Sequence, residues 1–565
     1  MSAVSASTSV LGLPAATDSG RARAAALDAA AAVAVQPTTL VEYRSRGAIV
    51  IIGPQAHAVA AAERLHPTLR CTVVASEPQA AAVTARQHNF PVLHEKVVQV
   101  TGHLGQFAVI IAAPPPLGGI NLLHKLGSQQ AHYDLVLDLS EPPLVAHDIA
   151  PVGYFAPRGD AQALERALTE LAEMVGEFEK PRFFQYNPDI CAHGASGLSA
   201  CTRCLDACPT GAIVSMREEV AVDPYLCQGA GICATVCPTG AMTYRYPSLA
   251  DQLRRLATLT RTYRDAGGSE RPFLLLHDAE GGRERVAALA TRLPEWVVPY
   301  ELAEIGSLGM DAWLSVLAYG AQAVALLPAA NTPARVTDAL REQLLYSGAL
   351  LEAMGYQAGQ IRLLEGDDEA VLAQLTAPPA PAAIPPAAFA GVDEKRTVLR
   401  LAVEHLHAHA PAPREHAALP AGAPFGEILV NRETCTLCMA CVGVCPAGAL
   451  ADGAELPQLN FIEGNCVQCG LCVTACPEQA IQLSARYLFD PQARRAPRTL
   501  HEEAPFCCVV CGKPFATQKM MARMAEKLQG HWMFKDGGAL RRVQMCADCR
   551  VRDLYRAENR RPEII

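Results

Sequence analysis

The chain has 565 residues, a formal net charge of −9, and a composition that is 50% hydrophobic and 5% aromatic. A single hydrophobic core rarely serves such a length, so we expect about three to five domains. No apolar run reaches the roughly 18 residues that a membrane helix requires. The first 36 residues lack the basic start and the twin arginine of an export signal. These features exclude a membrane-spanning class and predict a cytoplasmic protein.

Cysteine is the unusual part of the composition, with 21 residues. Most of these cysteines lie in strings with Cys-x-x-Cys spacing, which is too tight for the disulfide framework of a small secreted domain. Thiolates at that spacing are metal ligands, and a reducing compartment keeps them available for metal. The cysteines therefore predict several metal centres.

Residues 1–46 form an Ala-rich segment, and residues 47–160 alternate short apolar runs with helical stretches. This alternation predicts a Rossmann-like α/β domain with a parallel sheet. Gly53 follows the first apolar run, as in the dinucleotide-binding fingerprint, but Gln55 occupies the position of the second glycine. We therefore expect this domain not to bind a nucleotide, although the sequence leaves flavin or nucleotide binding open.

Residues 181–247 carry two incomplete copies of the pattern Cys-x₂-Cys-x₂-Cys-x₃-Cys-Pro. In complete copies, three cysteines ligate one [4Fe–4S] cluster, and the fourth ligates the cluster of the other copy. The first copy has Leu198 in place of its first cysteine, and the second copy has Ala230 in place of its second. Crossing the fourth ligands predicts a [4Fe–4S] cluster on Cys191, Cys201, Cys204 and Cys237, and a second site on Cys208, Cys227 and Cys233.

The two altered positions leave alternatives open. Three thiolates suit a [3Fe–4S] cluster, and they also suit a [4Fe–4S] cluster in which water or another ligand caps one iron. The module could instead have lost this cluster and survive as a scaffold. Cys191 lies seven residues upstream of Leu198, so it is either a ligand on a longer loop or a structural cysteine.

Residues 248–375 show a second α/β pattern without any cysteine, and apolar runs at 273–276 and 323–327 predict strands. Residues 376–392 are rich in proline and alanine, which predicts a stiff, extended linker. The middle part of the chain therefore predicts a second Rossmann-like domain, followed by a spacer.

Residues 425–485 contain two complete copies of the cysteine pattern, each followed by proline. The crossed arrangement predicts two [4Fe–4S] clusters in this region. One cluster is assigned to Cys435, Cys438, Cys441 and Cys476, and the other to Cys466, Cys469, Cys472 and Cys445. The similarity to residues 181–247 predicts an internal duplication.

These motifs resemble the bacterial-type dicluster ferredoxin domain, over about 60 residues in the second region and with two departures in the first. The resemblance implies a ferredoxin-like fold in both modules and an arrangement similar to a polyferredoxin. The stretch 318–324 is faintly similar to the delta subunit of methyl-viologen-reducing hydrogenases. That family carries cluster cysteines and this segment has none, so we expect a bridging or docking domain here.

Residues 500–565 hold two further Cys-x-x-Cys pairs, and each pair can offer two thiolates from one side of a tetrahedral site. The pairs resemble zinc ribbons and rubredoxin-like knuckles, which implies structural zinc, with a single iron or a fifth cluster as alternatives. The ligands assigned to this metal are Cys508, Cys511, Cys546 and Cys549. A helical stretch at 517–528 places Met520 and Met524 in the expected core.

The fold class predicted overall is a multidomain α/β protein with two ferredoxin-like modules and a small metal knuckle. The motifs favour an electron-transfer protein that relays single electrons between unidentified redox partners, and the resemblance implies a place beside an oxidoreductase such as a formate dehydrogenase. Two alternatives remain: a flavin- or nucleotide-binding oxidoreductase subunit, and a maturation factor for an iron–sulfur enzyme. No nucleophile–base pair that would demand catalysis is evident, and we expect no nucleic-acid partner and no membrane span.

Overall fold

The computed structural model describes residues 12–76, 88–114, 118–268, 271–377, 384–453, 456–528, 531, 534 and 537–558. Within these ranges no helix combines the length and the apolar character needed to cross a bilayer. The described chain forms two parallel sheets with flanking helices, two small modules around the cysteine loops, and a C-terminal knuckle. Parts of the expected N-terminal segment, linker and C-terminal tail lie outside the described residues.

The N-terminal unit is built on a five-stranded sheet in which all neighbouring strands are parallel. Its central strand, Ala48–Gly53, is buried on both faces, which accounts for its unbroken apolar sequence. An antiparallel three-stranded sheet packs beside it, and a separate strand pair leads into the next unit. The elements in chain order are α1 (Asp18–Ala31), β1 (Leu40–Ser45), β2 (Ala48–Gly53), α2 (Gln55–Leu65), β3 (Arg70–Ala75), β4 (Val92–His94), β5 (Val97–Thr101), β6 (Ala108–Ala112), β7 (Gly119–Asn121), α3 (Leu122–Lys125), β8 (Leu135–Asp138), β9 (Tyr154–Phe155), α4 (Ala161–Glu173) and β10 (Gly176–Pro181).

The two cysteine modules share one arrangement, which agrees with the expected duplication. Each module has an antiparallel pair of strands at its ends, an inner hairpin, and a short helix after each cysteine loop. The first module contains β11 (Phe184–Tyr186), β12 (Gly194–Ala195), β13 (Leu198–Ser199), α5 (Arg203–Ala207), β14 (Ile213–Ser215), β15 (Val220–Val222), α6 (Ile232–Val236) and β16 (Met242–Tyr244).

A second parallel sheet lies between the modules in sequence. Its four strands lie side by side in the order Val297–Leu302, Phe273–Asp278, Ala323–Leu327 and Ile361–Leu363. A core around Trp313 and Tyr263 fills the space between the sheet and its helices. The elements are α7 (Leu249–Asp265), β17 (Phe273–Asp278), α8 (Gly281–Leu289), β18 (Val297–Leu302), α9 (Met310–Ala318), β19 (Ala323–Leu327), α10 (Ala334–Ala353), β20 (Ile361–Leu363) and α11 (Asp368–Thr376).

A helix that follows the linker, α12 (Lys395–Ala408), packs its apolar face against α9 of the middle unit. Glu394 caps the start of α12 by accepting hydrogen bonds from the backbone N–H groups of Arg396 and Thr397. The first turn of α12 is thereby fixed in position between the two cysteine modules.

The second module and the C-terminal knuckle complete the chain. Their elements are β21 (His416–Ala418), β22 (Gly426–Val430), α13 (Ala440–Gly443), β23 (Leu450–Asp452), β24 (Gln458–Phe461), α14 (Leu471–Ala475), β25 (Ile481–Leu488), α15 (Pro491–Arg495), β26 (Arg498–Glu502), β27 (Pro505–Cys507), β28 (Pro514–Thr517), α16 (Gln518–Leu528), α17 (Gly537–Val543) and α18 (Ala547–Glu558). The expectation that Met524 lies in the core is wrong, because its side chain is 38% exposed and Met521 is the buried methionine of α16. The buried stripe of this helix is therefore displaced from the predicted one.

The Ala-rich N-terminal segment is anchored by Arg23, which is fully buried on α1. Its guanidinium donates to the backbone carbonyls of Pro14, Pro294 and Val297 at 2.6–3.3 Å. The bonds to Pro294 and Val297 join α1 to the middle unit, since both residues precede or begin β18.

We expect Arg23→Met to lower the free energy of unfolding by about 2 kcal/mol, because hydrogen bonds from a charged donor are lost and carbonyls are left unpaired. Chemical denaturation of the full chain, combined with limited proteolysis of α1, measures this effect. The matched control is Arg21→Met, which removes an exposed arginine from the same helix and should change neither result.

Candidate metal centres

The backbone of the cysteine loops provides the first geometric evidence. In both copies of the second module, the residues on either side of the second cysteine have a positive φ: 54° and 60° in one copy, and 52° and 87° in the other. This conformation turns the loop so that its thiols converge on one side. Around Ala230 the same two positions are Gly229 and Gly231, with φ of 84° and 74°. The loop around Ala230 therefore keeps the shape of a complete cysteine loop.

One set of four thiols in the second module, Cys435, Cys438, Cys441 and Cys476, lines a small cavity of about 20 Å³. Burial, followed by the charges of the other three thiols of this set, raises the pKa of Cys441 to about 12. Cys476 belongs to the other copy of the pattern. The structure thus brings together the crossed set expected from the sequence.

The second set of this module consists of Cys445, Cys466, Cys469 and Cys472. Burial raises the pKa of Cys472 to about 12, with added contributions from Cys466, Cys469 and Cys445. The backbone N–H of Ala449 donates to the Cys445 sulfur at 3.3 Å. Cys445 therefore lies with the cysteines of the other copy, and N–H groups are available to stabilise a charged sulfur there.

In the first module, the β12–β13 hairpin replaces the usual start of the loop and carries the chain back from Cys191. Burial raises the pKa of Cys204 to about 12, and Cys237, Cys201 and Cys191 add to the increase. Charge interactions decay with distance, so these four thiols are neighbours. Cys191 thus lies with the set to which the sequence assigned it.

The remaining three thiols of the first module are Cys208, Cys227 and Cys233. Burial raises the pKa of Cys233 well above its ordinary value, and Cys227, Cys208 and Cys204 raise it further. Ala230 is 8% exposed, and its loop packs against the turn at Gly306 and Ser307 of the middle unit. The structure therefore gathers three thiols here and closes their loop with the middle unit.

The four sets follow one another in space. In the first module, the charge of Cys204, which belongs to the four-thiol set, raises the pKa of Cys233 in the three-thiol set. Across the module boundary, Cys201 raises the pKa of Cys469, and within the second module Cys441 raises that of Cys472. Helix α14 lies close to β13 at this boundary. The sets thus form a continuous series through both modules.

The two ends of this series differ in exposure. Among the fifteen cysteines of the four sets, Cys438 is the exposed one, and the others are buried or partly buried. At the other end, Lys180 donates to the backbone carbonyls of Tyr225 and Cys227 at 2.8 and 2.7 Å. Burial lowers the pKa of Lys180 to about 8.

The C-terminal knuckle brings Cys508, Cys511, Cys546 and Cys549 together, with all four sulfurs within 4.8 Å of one another. The Sγ atoms of Cys511 and Cys546 are 3.7 Å apart, and a tetrahedral ion with bonds of about 2.3 Å separates its sulfurs by a similar distance. Burial opposes ionisation of Cys508, but backbone N–H groups directed at its sulfur lower its pKa to about 6. This tetrad could bind one metal ion.

Several basic side chains that contact the cysteine loops were not predicted from the sequence. Besides Lys180, three further cations donate to cysteine carbonyls: Arg335 to Cys208, Lys395 to Cys237, and Arg396 to Cys466. They lie on elements distant in sequence from the cysteines they contact, so no local motif could have indicated them. Each brings a positive charge close to one of the thiol sets.

Two family models match the chain, and each describes a 4Fe-4S dicluster domain. One matches residues 427–486, and the other matches residues 199–241. This confirms the prediction of two dicluster ferredoxin domains and supports an iron–sulfur electron-transfer role. The second match begins after Cys191 and Leu198, where the first module departs from the pattern. No curated protein matches the chain.

The crossed arrangement makes a specific prediction for Cys445→Ser. This substitution should remove or convert the cluster of Cys466, Cys469 and Cys472, because Cys445 lies with those thiols. The cluster of Cys435, Cys438 and Cys441 should remain. Anaerobic electron paramagnetic resonance and iron analysis distinguish the two. Damage confined to the cluster of Cys435, Cys438 and Cys441 would contradict the crossed arrangement.

The knuckle predicts a different outcome for Cys549→Ser. We expect this variant to lose one zinc ion per chain and to expose the C-terminal unit to protease, while iron content stays unchanged. Metal analysis of the purified variant measures both metals, and Cys507→Ser is the control because Cys507 lies outside the tetrad. Loss of iron instead of zinc would place this site among the redox centres.

Proposed function

We propose that this protein is an electron-transfer protein that relays single electrons through four iron–sulfur clusters arranged in series. The observation that carries the proposal is the uninterrupted succession of thiol sets, from Cys208, Cys227 and Cys233 at one end to the set with exposed Cys438 at the other. Redox centres that are neighbours in space can exchange electrons without a mobile carrier. The chain would then carry electrons from one partner protein to another.

Iron–sulfur clusters supply reversible one-electron chemistry at these sites, and the surrounding residues fit them. Burial raises the pKa of Cys441 and Cys204, so a free thiolate is costly there, and coordination to iron would compensate for its charge. We assign a [4Fe–4S] cluster to each of the three four-thiol sets in the crossed arrangement. The protein contributes the ligands, the buried environment and the spacing between the sites.

The three-thiol site is assigned a [3Fe–4S] cluster. Its loop has the conformation of a complete loop, so a cluster fits there, but the methyl group of Ala230 cannot ligate iron. A [4Fe–4S] cluster with one iron held by water remains the alternative, because three thiolates satisfy either form. The C-terminal tetrad is assigned structural zinc, for which four clustered sulfurs are a usual ligand set.

We assign the exposed Cys438 end as the place where electrons pass to or from a partner protein. The resemblance to polyferredoxins favours a larger oxidoreductase as that partner, with a formate dehydrogenase as the leading example. A cytoplasmic location fits thiols that must stay reduced until iron binds.

A flavin- or nucleotide-binding subunit is the second candidate, because a cleft of about 620 Å³ opens at the carboxyl edge of the N-terminal sheet, beside Pro54, Ser76 and Leu139. Gly53 does not support this candidate, since a Cβ there would lie 2.7 Å from Cβ of Leu139. Strand packing alone thus accounts for the glycine. Extraction of a flavin or nucleotide from the purified protein would favour the second candidate.

Anaerobic purification with metal analysis tests the relay. Three [4Fe–4S] clusters and one [3Fe–4S] cluster predict about 15 iron atoms and about 1 zinc ion per chain. Stoichiometric reduction should then take up about one electron per cluster. Cluster transfer to an apo-protein without redox turnover would instead identify a maturation factor.

Ala230→Cys should convert the three-thiol site to a [4Fe–4S] cluster. The added thiolate supplies the missing ligand, and its negative charge should lower the reduction potential of this site. Disappearance of the [3Fe–4S] electron paramagnetic resonance signal of the oxidised protein, with a gain of about one iron, is the expected measurement.

Cys208→Ala is the matched test of occupancy at this site. This variant should lose the iron of the three-thiol site while the other three clusters remain. Unchanged iron content and an unchanged spectrum would mean that the site holds no cluster.

A further inference from the structure

The first turn of α12 lies where the two modules meet, and it carries Lys395 and Arg396 side by side. The Lys395 ammonium donates to the carbonyls of Ala234, Thr235 and Cys237, at 2.8, 2.5 and 3.1 Å. All three carbonyls belong to the first module. Lys395 thus holds the end of α6 and the following cysteine.

Arg396 binds both modules at once. One guanidinium nitrogen donates to the carbonyls of Pro238 and Pro424, and the other donates to those of Gly464 and Cys466, at 3.0–3.3 Å. Its guanidinium also lies 5.0 Å from the ring centre of Phe425. The side chain is 8% exposed. Arg396 therefore joins the backbone after Cys237 to the backbone at Cys466.

The two cysteines contacted by this pair belong to the two thiol sets that face each other across the module boundary. Cys237 lies with Cys201, and Cys466 lies with Cys469, while Cys201 and Cys469 are the thiols that interact across the boundary. The cations are thus placed at the one step of the series that passes from one module to the other.

We propose that Lys395 and Arg396 form a charged junction that holds the two inner clusters in register and raises the reduction potential of both. This inference rests on the proposed relay. The step is the transfer of one electron from a reduced inner cluster to its oxidised neighbour, with no bond made or broken and no proton exchanged.

The electrostatic part follows from the sign of the charge. A cluster becomes more negative on reduction, so a nearby fixed cation stabilises the reduced form. The interaction is strong here because the guanidinium is buried and water screens it poorly. The carboxyl of Asp311 faces Lys395 on the side of the middle unit, where burial raises the pKa of that carboxyl and Lys395 lowers it.

The positioning part follows from the reach of Arg396. Its planar fork binds two carbonyls of the junction with each terminal nitrogen, whereas a lysine has one nitrogen at the end of a flexible chain. Lysine at this position would keep the charge but could not hold both modules in the same way. The two roles can therefore be separated by substitution.

The test uses the full chain with its clusters, purified without oxygen. Redox titration followed by electron paramagnetic resonance gives the midpoint potential of each cluster, and the spin–spin broadening in the fully reduced protein reports how closely the inner clusters approach. Cys204→Ser and Cys472→Ser identify which signals belong to the inner clusters.

Lys395→Met should lower the midpoint of the cluster that includes Cys237, and Arg396→Met should lower that of the cluster that includes Cys466. The outer cluster with Cys438 should keep its midpoint in both variants. Arg396→Lys should keep the midpoint near that of the unsubstituted protein but weaken the spin–spin broadening. Because Arg396→Lys retains the buried charge, it tests the positioning role even if Arg396→Met fails to fold.

Arg400→Met is the matched control, because Arg400 lies one turn further along α12 and donates to the carbonyl of Gly464 without reaching a cysteine carbonyl. It should shift the inner midpoints less than Lys395→Met or Arg396→Met does, and it should leave the broadening unchanged. Unchanged midpoints and broadening in the Lys395 and Arg396 variants, with full iron content, would overturn the junction. Failure of the relay itself would appear separately, as missing iron in the unsubstituted protein.

Discussion

The structure depends on the placement of thiols inside the protein, where a free thiolate is unstable. Burial raises the pKa of Cys204, Cys441 and Cys472 to about 12, so these thiols stay protonated at neutral pH. Their ionised form is unfavourable in free energy unless a metal binds it. Each set also takes one thiol from the other copy of its pattern, so the two halves of a module share their metal centres. We therefore expect folding of a module and assembly of its clusters to be one process.

The thiols that the sequence assigns to one set lie near one another in the structure, because the cysteine pattern is local and its geometry follows from spacing. The cluster that each set holds stays a prediction. The sequence predicts the parallel sheets for a similar reason, since buried strands such as Ala48–Gly53 are continuous apolar runs. It fails on Met524, because hydrophobicity along one short helix does not determine which of several methionines faces the core. It also cannot indicate Arg396, whose contacts bring together residues that are distant in sequence.

The middle unit has a role in this arrangement although it contains no cysteine. Its turn at Gly306 and Ser307 packs on the altered loop, and Thr235 of the first module donates to the carbonyl of Gly306 at 2.7 Å. A loop with one ligand fewer has less metal coordination to hold its shape. Contacts with the middle unit supply a constraint on this loop instead.

The exposure of Cys438 also makes that end of the series sensitive to oxidation. A sulfur at the surface is open to solvent and to dissolved oxygen, and oxidation of cysteine follows thiolate character and accessibility. The end of the series that we propose for exchange with a partner is thus also the end most open to oxidation in air. Oxidation there would separate the other three sites from the proposed partner. An occupied docking surface would shield this end, so the working complex should tolerate oxygen better than the isolated chain.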